Sequence, residues 1–490
     1  MTTGLYEDLA PRRRLLITAA LLACAFLAML DGTVIGTALP RIVQQVGGSD
    51  SWYTWLVTAY LLTSSISVPI YGRFSDLYGR RRLLLSGLTL FLSGSLVCGL
   101  AGSMEVLIAS RALQGLGAGA LLTLGMAMIR DLYPPGRDTG LIRMQTVLAA
   151  MMIVGMVGGP IIGGLLTDHA DWRWAFWLNL PIGLLAAGVL TTALPERRPA
   201  SARAGRLDVA GIALLTIGLS LTLIGLSLKG NTSSRWADPA VAGPILAGLA
   251  LLAALIPVER RAATPVLPPH LLRRRTYAAL LAGGFFFQIA ALPIGVFLPL
   301  YLQHGRGYSA TASGLLLLPL LIGMTAGNRL TAVAILRASH TKPVLLAGAT
   351  LITVATVAFA TLDAATPAVV TGGWLLLAGI GIGPAMGGIT IATQNSVPQA
   401  DMGTATAGSA LTKQLGGAVG LACAQTLISP GVITAESVGS TIAWVGGLAG
   451  LLALGSILLM RDVTIGRVSP PASRTAHRRP AEPARRPGTP

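Results

Sequence analysis

Apolar residues run along this chain in long blocks separated by short polar loops. A helix needs about 20 apolar residues to cross a bilayer. That ruler marks fourteen spans, at approximately 15–38, 53–71, 83–102, 106–130, 143–166, 174–194, 207–228, 240–258, 276–302, 311–336, 343–361, 367–392, 403–428 and 438–460. An even number of spans puts both chain ends on one side. Breaker-rich stretches divide the series into a short N-terminal segment (1–14), six spans (15–194), a linker (195–206), two further spans (207–258), a second linker (259–275), six more spans (276–462) and a Pro/Arg-rich tail (463–490). The composition of that tail predicts disorder and solvation.

Composition changes the picture only in confirming the solvent. The chain is 53% hydrophobic and 11% charged, with a mean hydropathy of +0.69. Soluble proteins carry about 25% charged residues, so this is an all-α integral membrane protein. Its net charge of +17 would suggest nucleic acid in a soluble chain. Here the basic residues sit in alternate loops: Arg12–Arg14, Arg73 with Arg80–Arg82, Arg130 with Arg137, Arg197 with Arg198, Arg273–Arg275, and Arg337 with Lys342. The positive-inside rule then places both termini in the cytoplasm and removes the need for a nucleic-acid partner. Cys24, Cys98 and Cys423 all fall within spans, which leaves no external pair for a disulfide. No phosphate-cradling Gly-x-x-x-x-Gly-Lys-Ser/Thr loop is present, nor any metal-ligand or hydrolytic constellation. An ATP-driven pump, an enzyme and a cofactor are all disfavoured. The scarcity of lysine beside arginine hints at a GC-rich bacterial source.

Candidate chemistry begins with Asp31, the one charged side chain between Leu15 and Ala38. A carboxylate near bilayer depth costs at least a few kcal/mol, so it marks a functional site unless neighbouring hydroxyls or an arginine merely hold it in place. Burial raises a carboxylate's affinity for protons, as a reversible proton carrier requires. Arg111 lies inside the fourth span and must face the bundle interior or a watery cavity, with Gln114 one turn away. It either tunes a nearby carboxylate or braces the bundle through backbone carbonyls. Gly155, Gly159 and Gly163 recur every fourth residue, flanked by Gly158 and Gly164, and offer a flat strip to another helix while Pro160 bends their own. Lys413 is the only lysine within an apolar run; it either contacts solute or reaches for the cytoplasmic surface. Gln288, beside Phe285–Phe287, is a candidate cavity wall. The loop from Gly72 to Arg82 joins two glycines, Gly72 and Gly79, with Asp76, Arg80 and Arg81, a set suited to a charged latch that breaks and re-forms.

That loop resembles the signature loop of the major facilitator superfamily. Leu30–Pro40 is similar to the first-span motif of its fourteen-helix drug:proton antiporters. Arg111-Ala-Leu-Gln114-Gly115-Leu-Gly117 resembles the arginine motif of the fourth span, and Gly155–Gly164 the antiporter motif of the fifth. Asp171–Gly183 and Leu298–Pro319 resemble further family segments. The second half departs from the pattern: Gly327-Asn328-Arg329-Leu330 lacks an acidic partner, and no extra acid appears in the later spans. The resemblance implies two pseudosymmetric six-helix bundles plus two extra central helices, alternating access, and export driven by the proton gradient. It implies proton coupling at Asp31, Arg111 and Gln114, and a substrate cavity touched by Asp31, Gln288 and Lys413. The expected partners are an amphipathic small molecule, protons and the bilayer, served by a monomer. A dedicated exporter of an endogenous metabolite, lipid or siderophore, a facilitator or importer on the same scaffold, and a non-transporting membrane protein are the alternatives.

Overall fold

The computed structural model describes residue 6 and residues 9–47, 50–133, 140–197, 208–231, 235–262, 269–398, 401–428 and 434–463. Long helices dominate: α1 (Pro11–Val46), α2 (Asp50–Tyr78), α3 (Arg80–Leu100), α4 (Met104–Leu132), α5 (Gly140–His169), α6 (Trp174–Ala193), α7 (Val209–Asn231), α8 (Pro239–Arg261), α9 (Arg275–His304), α10 (Ala310–Ala338), α11 (Lys342–Thr361), α12 (Ala368–Ser396), α13 (Met402–Leu427) and α14 (Ala435–Leu459). Short interruptions fall at Leu178 in α6 and Leu317 in α10, and wide π turns occupy Pro384–Gly388 in α12 and Ile442–Gly446 in α14.

Among the described residues, twelve of these helices are long and apolar enough to cross a membrane. The two others are α2, whose described apolar stretch is Trp55–Val68, and α13. They face each other between the two halves of the molecule. There they carry Ser64, Ser65 and Ser67 on one side and Thr412, Lys413 and Gln414 on the other. Helix ends also run past the apolar blocks. α1 starts at Pro11, at its first turn, and continues through Pro40 to Val46; hydropathy marks the membrane, whereas backbone hydrogen bonding marks the helix.

In the first half α1 packs on α5 and α6, α4 on α2 and α3, and α3 on α6. The second half repeats each of these pairs eight helices later: α9 on α13 and α14, α12 on α10 and α11, and α11 on α14. The halves meet along two seams, α2 against α13 and α5 against α10, with α1 touching α9 between them. α7 and α8 pack on each other, and α7 alone of the pair rests on both α13 and α2. The two extra spans, central in chain order and expected to be peripheral in the fold, pack as a pair beside one seam.

Apolar side chains gain little by leaving lipid for a helix interface, so association relies on small residues that let backbones approach. At the α3–α4 crossing a Cβ added to Gly117 would strike the carbonyl oxygen of Gly87 and lie 2.8 Å from Phe91 Cα. Gly125, two turns further along α4, faces open space. Gly117→Ala forces backbone apart at a typical overpacking cost of about 1–3 kcal/mol, whereas Gly125→Ala gains about 0.5–1 kcal/mol of helix propensity. Thermal unfolding of the detergent-solubilised variants is expected to shift in opposite directions; equal shifts would show that the α3–α4 contact is not tight.

Candidate functional site

Five helices converge on Asp31. Its Oδ2 accepts a hydrogen bond from Arg111 Nη1 at 2.6 Å. Its Oδ1 accepts from Gln114 Nε2 at 2.7 Å and from Asn179 Nδ2 at 2.9 Å. Both amides also donate to Ser95 Oγ, at 2.6 and 3.0 Å. Arg111 completes its own shell with Gln114 Oε1 at 2.8 Å and the Leu56 carbonyl at 3.2 Å. Its guanidinium carbon stands 4.2 Å from the centre of the Tyr60 ring and 5.8 Å from that of Phe176. Asp31, Gln114, Ser95 and Asn179 are 0% exposed and Arg111 1%. Gly94 makes the cluster possible, since a Cβ there would lie 2.8 Å from the Gln114 backbone.

A carboxylate with three donors and a guanidinium over an aromatic face is an ionised pair whose desolvation is compensated by geometry. The structure thus brings together Asp31, Arg111 and Gln114, and it adds Ser95, Asn179 and Tyr60, which sequence reasoning missed. Asn179 lay inside a quoted motif but carried no charge to single it out; Ser95 is one serine among many in spans. Asp31 itself is enclosed by its partners in this conformation, and its neighbour Gly32 is exposed. Gln288 and Lys413 stand in the other half, on α9 and α13.

The basic loop ties α3 to its own half. Arg80 pairs with Asp131 and donates to the Ala127 carbonyl at 3.0 Å. Arg81 donates to the Thr191 carbonyl at 2.5 Å, and Arg82 lies 3.8 Å from Glu196. These arginines secure the C-terminal turns of α4 and α6, where cations suit the helix dipole. Gly79 joins α2 to α3 at φ +93°, a left-handed conformation that favours glycine. The side chains of Gly72's neighbour Arg73 and of Asp76 lie outside the described residues, as does the acidic half of the expected latch; Gly72 itself is placed only as part of α2.

On α5 the small-residue strip meets α1: a Cβ added to Gly155 would lie 2.7 Å from the Phe26 carbonyl oxygen, one on Gly159 would strike the Thr33 side chain, and one on Gly163 the Val34 carbonyl and Thr37. Gly164 turns instead to the second half, where an added Cβ would lie 2.6 Å from Thr311 Cα, and Gly314 abuts the Pro160 carbonyl. Beyond them Asp168 accepts from the backbone N–H of Ala310 at 3.0 Å and of Thr311 at 2.7 Å. Gln303 donates to the Thr37 carbonyl at 3.0 Å. This end of the α1/α5–α9/α10 junction is therefore shut, apart from a surface cavity of about 340 Å³ lined by residues that include Arg41, Asp168 and Tyr308.

Breaking a buried ion pair from one side strands the other charge at about 3–5 kcal/mol, while replacing both partners by apolar residues can be nearly neutral. Arg111→Leu alone is expected to lower the unfolding midpoint more than Asp31→Leu with Arg111→Leu together. An additive double variant would show that the two charges do not depend on each other.

Comparison with known proteins follows from this architecture. Residues 21–421 match the model of the Major Facilitator Superfamily. The "Multidrug transporter protein MdtP" of Bacillus subtilis (strain 168) is 35% identical over 415 residues, covering 85% of this chain and 75% of that protein. The "Puromycin resistance protein pur8" of Streptomyces alboniger is 35% identical over 421 residues, covering 83% and 80%. Among solved structures a D-xylose-proton symporter superposes with a TM-score of 0.65 at 16% identity, covering 92% of this chain and 98% of its own, a likeness of fold. A multi-pass helical chain with this matched extent, and with relatives that are transporters rather than enzymes, belongs to the Major Facilitator Superfamily of small-molecule transporters.

Proposed function

We propose that this protein is a proton-coupled exporter of drugs or other amphipathic small molecules, crossing a bacterial plasma membrane fourteen times with both termini in the cytoplasm. The single observation that carries the reading is the sealed Asp31–Arg111 pair, with 0% and 1% of the two side chains exposed. A charge pair kept at membrane depth, away from any solute, is an expense that scaffolding alone does not require. Loop charge supports the orientation, since the arginine-rich loops fall on the side of residues 1–14. The Asp168 junction then faces outward, and the conformation is closed to the outside.

Coupling in this reading runs through helix α1 rather than through direct competition at Asp31. A proton added to the carboxylate cancels its charge and deprives Arg111 of its acid partner. Arg111 keeps its proton, the Leu56 carbonyl, Gln114 Oε1 and the Tyr60 face. Asn179 Oδ1 is buried with no hydrogen-bond partner; turning that amide about its bond would offer an acceptor to the new Asp31 O–H. Neutral Asp31 is held less firmly by α4 and α6, and α1 carries that change to Gly32 and Gly36 on its seam face. Solute and proton then bias the same equilibrium from two sites. The glycine strip of α5, with Pro160, is the surface on which α1 and α10 move, and the arginine loop holds the half rigid.

Efflux of ethidium, a cation, and of fluorescein, an anion, from cells expressing the protein tests this. At least one dye is expected to be exported, to stop leaving on addition of a proton uncoupler, and to be retained by cells carrying Asp31→Asn. Uncoupler-sensitive export by Asp31→Asn at the wild-type rate would remove Asp31 from the mechanism. For the outer closure, a cysteine placed at Thr37 in a cysteine-free background should react slowly with an impermeant maleimide and faster once Asp168→Ala removes the clasp. Unchanged labelling would mean that Asp168 does not hold the outer end shut.

A further inference from the structure

Two polar side chains in the second half have no adequate protein partner. Lys413 lies eleven residues into α13, about 16 Å along it at 1.5 Å per residue. Its Nζ makes one long contact, 3.4 Å to the Ala385 carbonyl in the π turn of α12. That contact points into the bundle rather than toward the helix end, so the lysine does not reach for the membrane surface. Among the described residues no carboxylate accompanies it. An ammonium has three hydrogens to donate, and two are left over. One turn further along, Gln288 has no hydrogen-bond partner among the described residues.

Both groups are held in place by glycines on the facing helix. A Cβ on Gly284 of α9 would lie 3.0 Å from Lys413 Cγ, and a Cβ on Gly417 of α13 would lie 3.2 Å from Gln288 Cγ. The two long side chains therefore cross the α9–α13 interface in opposite directions, four residues apart on each helix, and both remain half-buried rather than enclosed. This surface belongs to the seam: Gln414, next to Lys413, accepts from Ser65 of the first half at 2.6 Å. Gly295, two turns beyond Gln288 on α9, brings its carbonyl to 3.4 Å from the Cβ position of Gly36. One turn before Gly36 is Gly32, an exposed position of α1. Phe285 and Phe286, half-buried with ring centres 5.5 Å apart, add an apolar flank on α9.

In the first half the charges cancel, because Asp31 and Arg111 spend themselves on each other. The charge offered to a solute at this level of the seam is the lysine's. We infer that the solute is an amphipathic organic anion, a lipophilic acid whose carboxylate or sulfonate is held by Lys413 and Gln288 and whose apolar body lies along the phenylalanines. The inference rests on the export reading above and names its substrate class. A cation in this place would face an uncompensated ammonium in surroundings of low dielectric, where like charges repel strongly.

The test measures efflux of fluorescein, loaded as its diacetate ester, beside ethidium, in Lys413→Gln, Lys413→Arg and Lys413→Glu, each at equal amounts of folded protein by size-exclusion chromatography. Loss of one charge-assisted contact predicts about a tenfold slower fluorescein export in Lys413→Gln. Lys413→Arg should retain export, and Lys413→Glu should lose fluorescein and gain ethidium. Fluorescein export that is unaffected in Lys413→Gln overturns the inference. So does Asp31-dependent export of ethidium with none of fluorescein, a result that leaves proton-coupled export standing. Fluorescein movement that needs Lys413 but ignores both the uncoupler and Asp31→Asn supports the anion site and overturns the coupling.

Discussion

Everything in the first half is arranged so that one carboxylate can stay charged where no water reaches it. Asp31 is tolerated because three donors from α4 and α6 meet it, and those donors are tolerable because Ser95, the Leu56 carbonyl and the Tyr60 face occupy their remaining valences. Remove one of the hydrogen-bonding groups and a buried polar partner is orphaned, at about 1–3 kcal/mol out of a net stability of about 5–15 kcal/mol. The helices α1, α2, α3, α4 and α6 thus share a polar core as well as an apolar one. The second half has the same helix arrangement with no such paired core among the described residues, and its half-buried lysine has been left nearly alone.

The second constraint is proximity. Glycines at 155, 159 and 163 bring α5 against α1, while 164 and 314 bring α5 against α10, so that a single helix carries both an internal and an inter-half contact. Close contact of this sort is stiff to compression yet offers little resistance to sliding, because the glycines present no side chains of their own to those of α1. That combination suits a joint.

How much of this was legible in the sequence follows from where the signals reside. Apolar blocks were readable because lipid imposes a length on each helix, and among the described residues twelve helices are long and apolar enough to cross a membrane. Asp31 and Arg111 stood out as charges amid leucines, and their pairing is what cancels those charges. Asn179 and Ser95 could not be singled out, since an amide or hydroxyl in a span is inexpensive and common; only their convergence on one oxygen gives them a role. The partners of Arg80 and Arg81 were likewise invisible: one is Asp131, fifty-one residues away, and the other a backbone carbonyl. Such partners are set by tertiary geometry, and no local pattern encodes them. The seam on which the peripheral pair α7 and α8 docks was hidden for the same reason, because a lipid-facing helix looks alike wherever it docks.

That placement has a mechanical consequence. α7 rests on α2 of one half and α13 of the other, on the flank opposite the α5–α10 clasp. A body that grips both halves on one side acts as a fulcrum. Relative rotation is least beside it and grows with distance from it, so the longest lever arm ends at α5 and α10. The backbone-centred contacts of Asp168 are found at the place where travel is greatest.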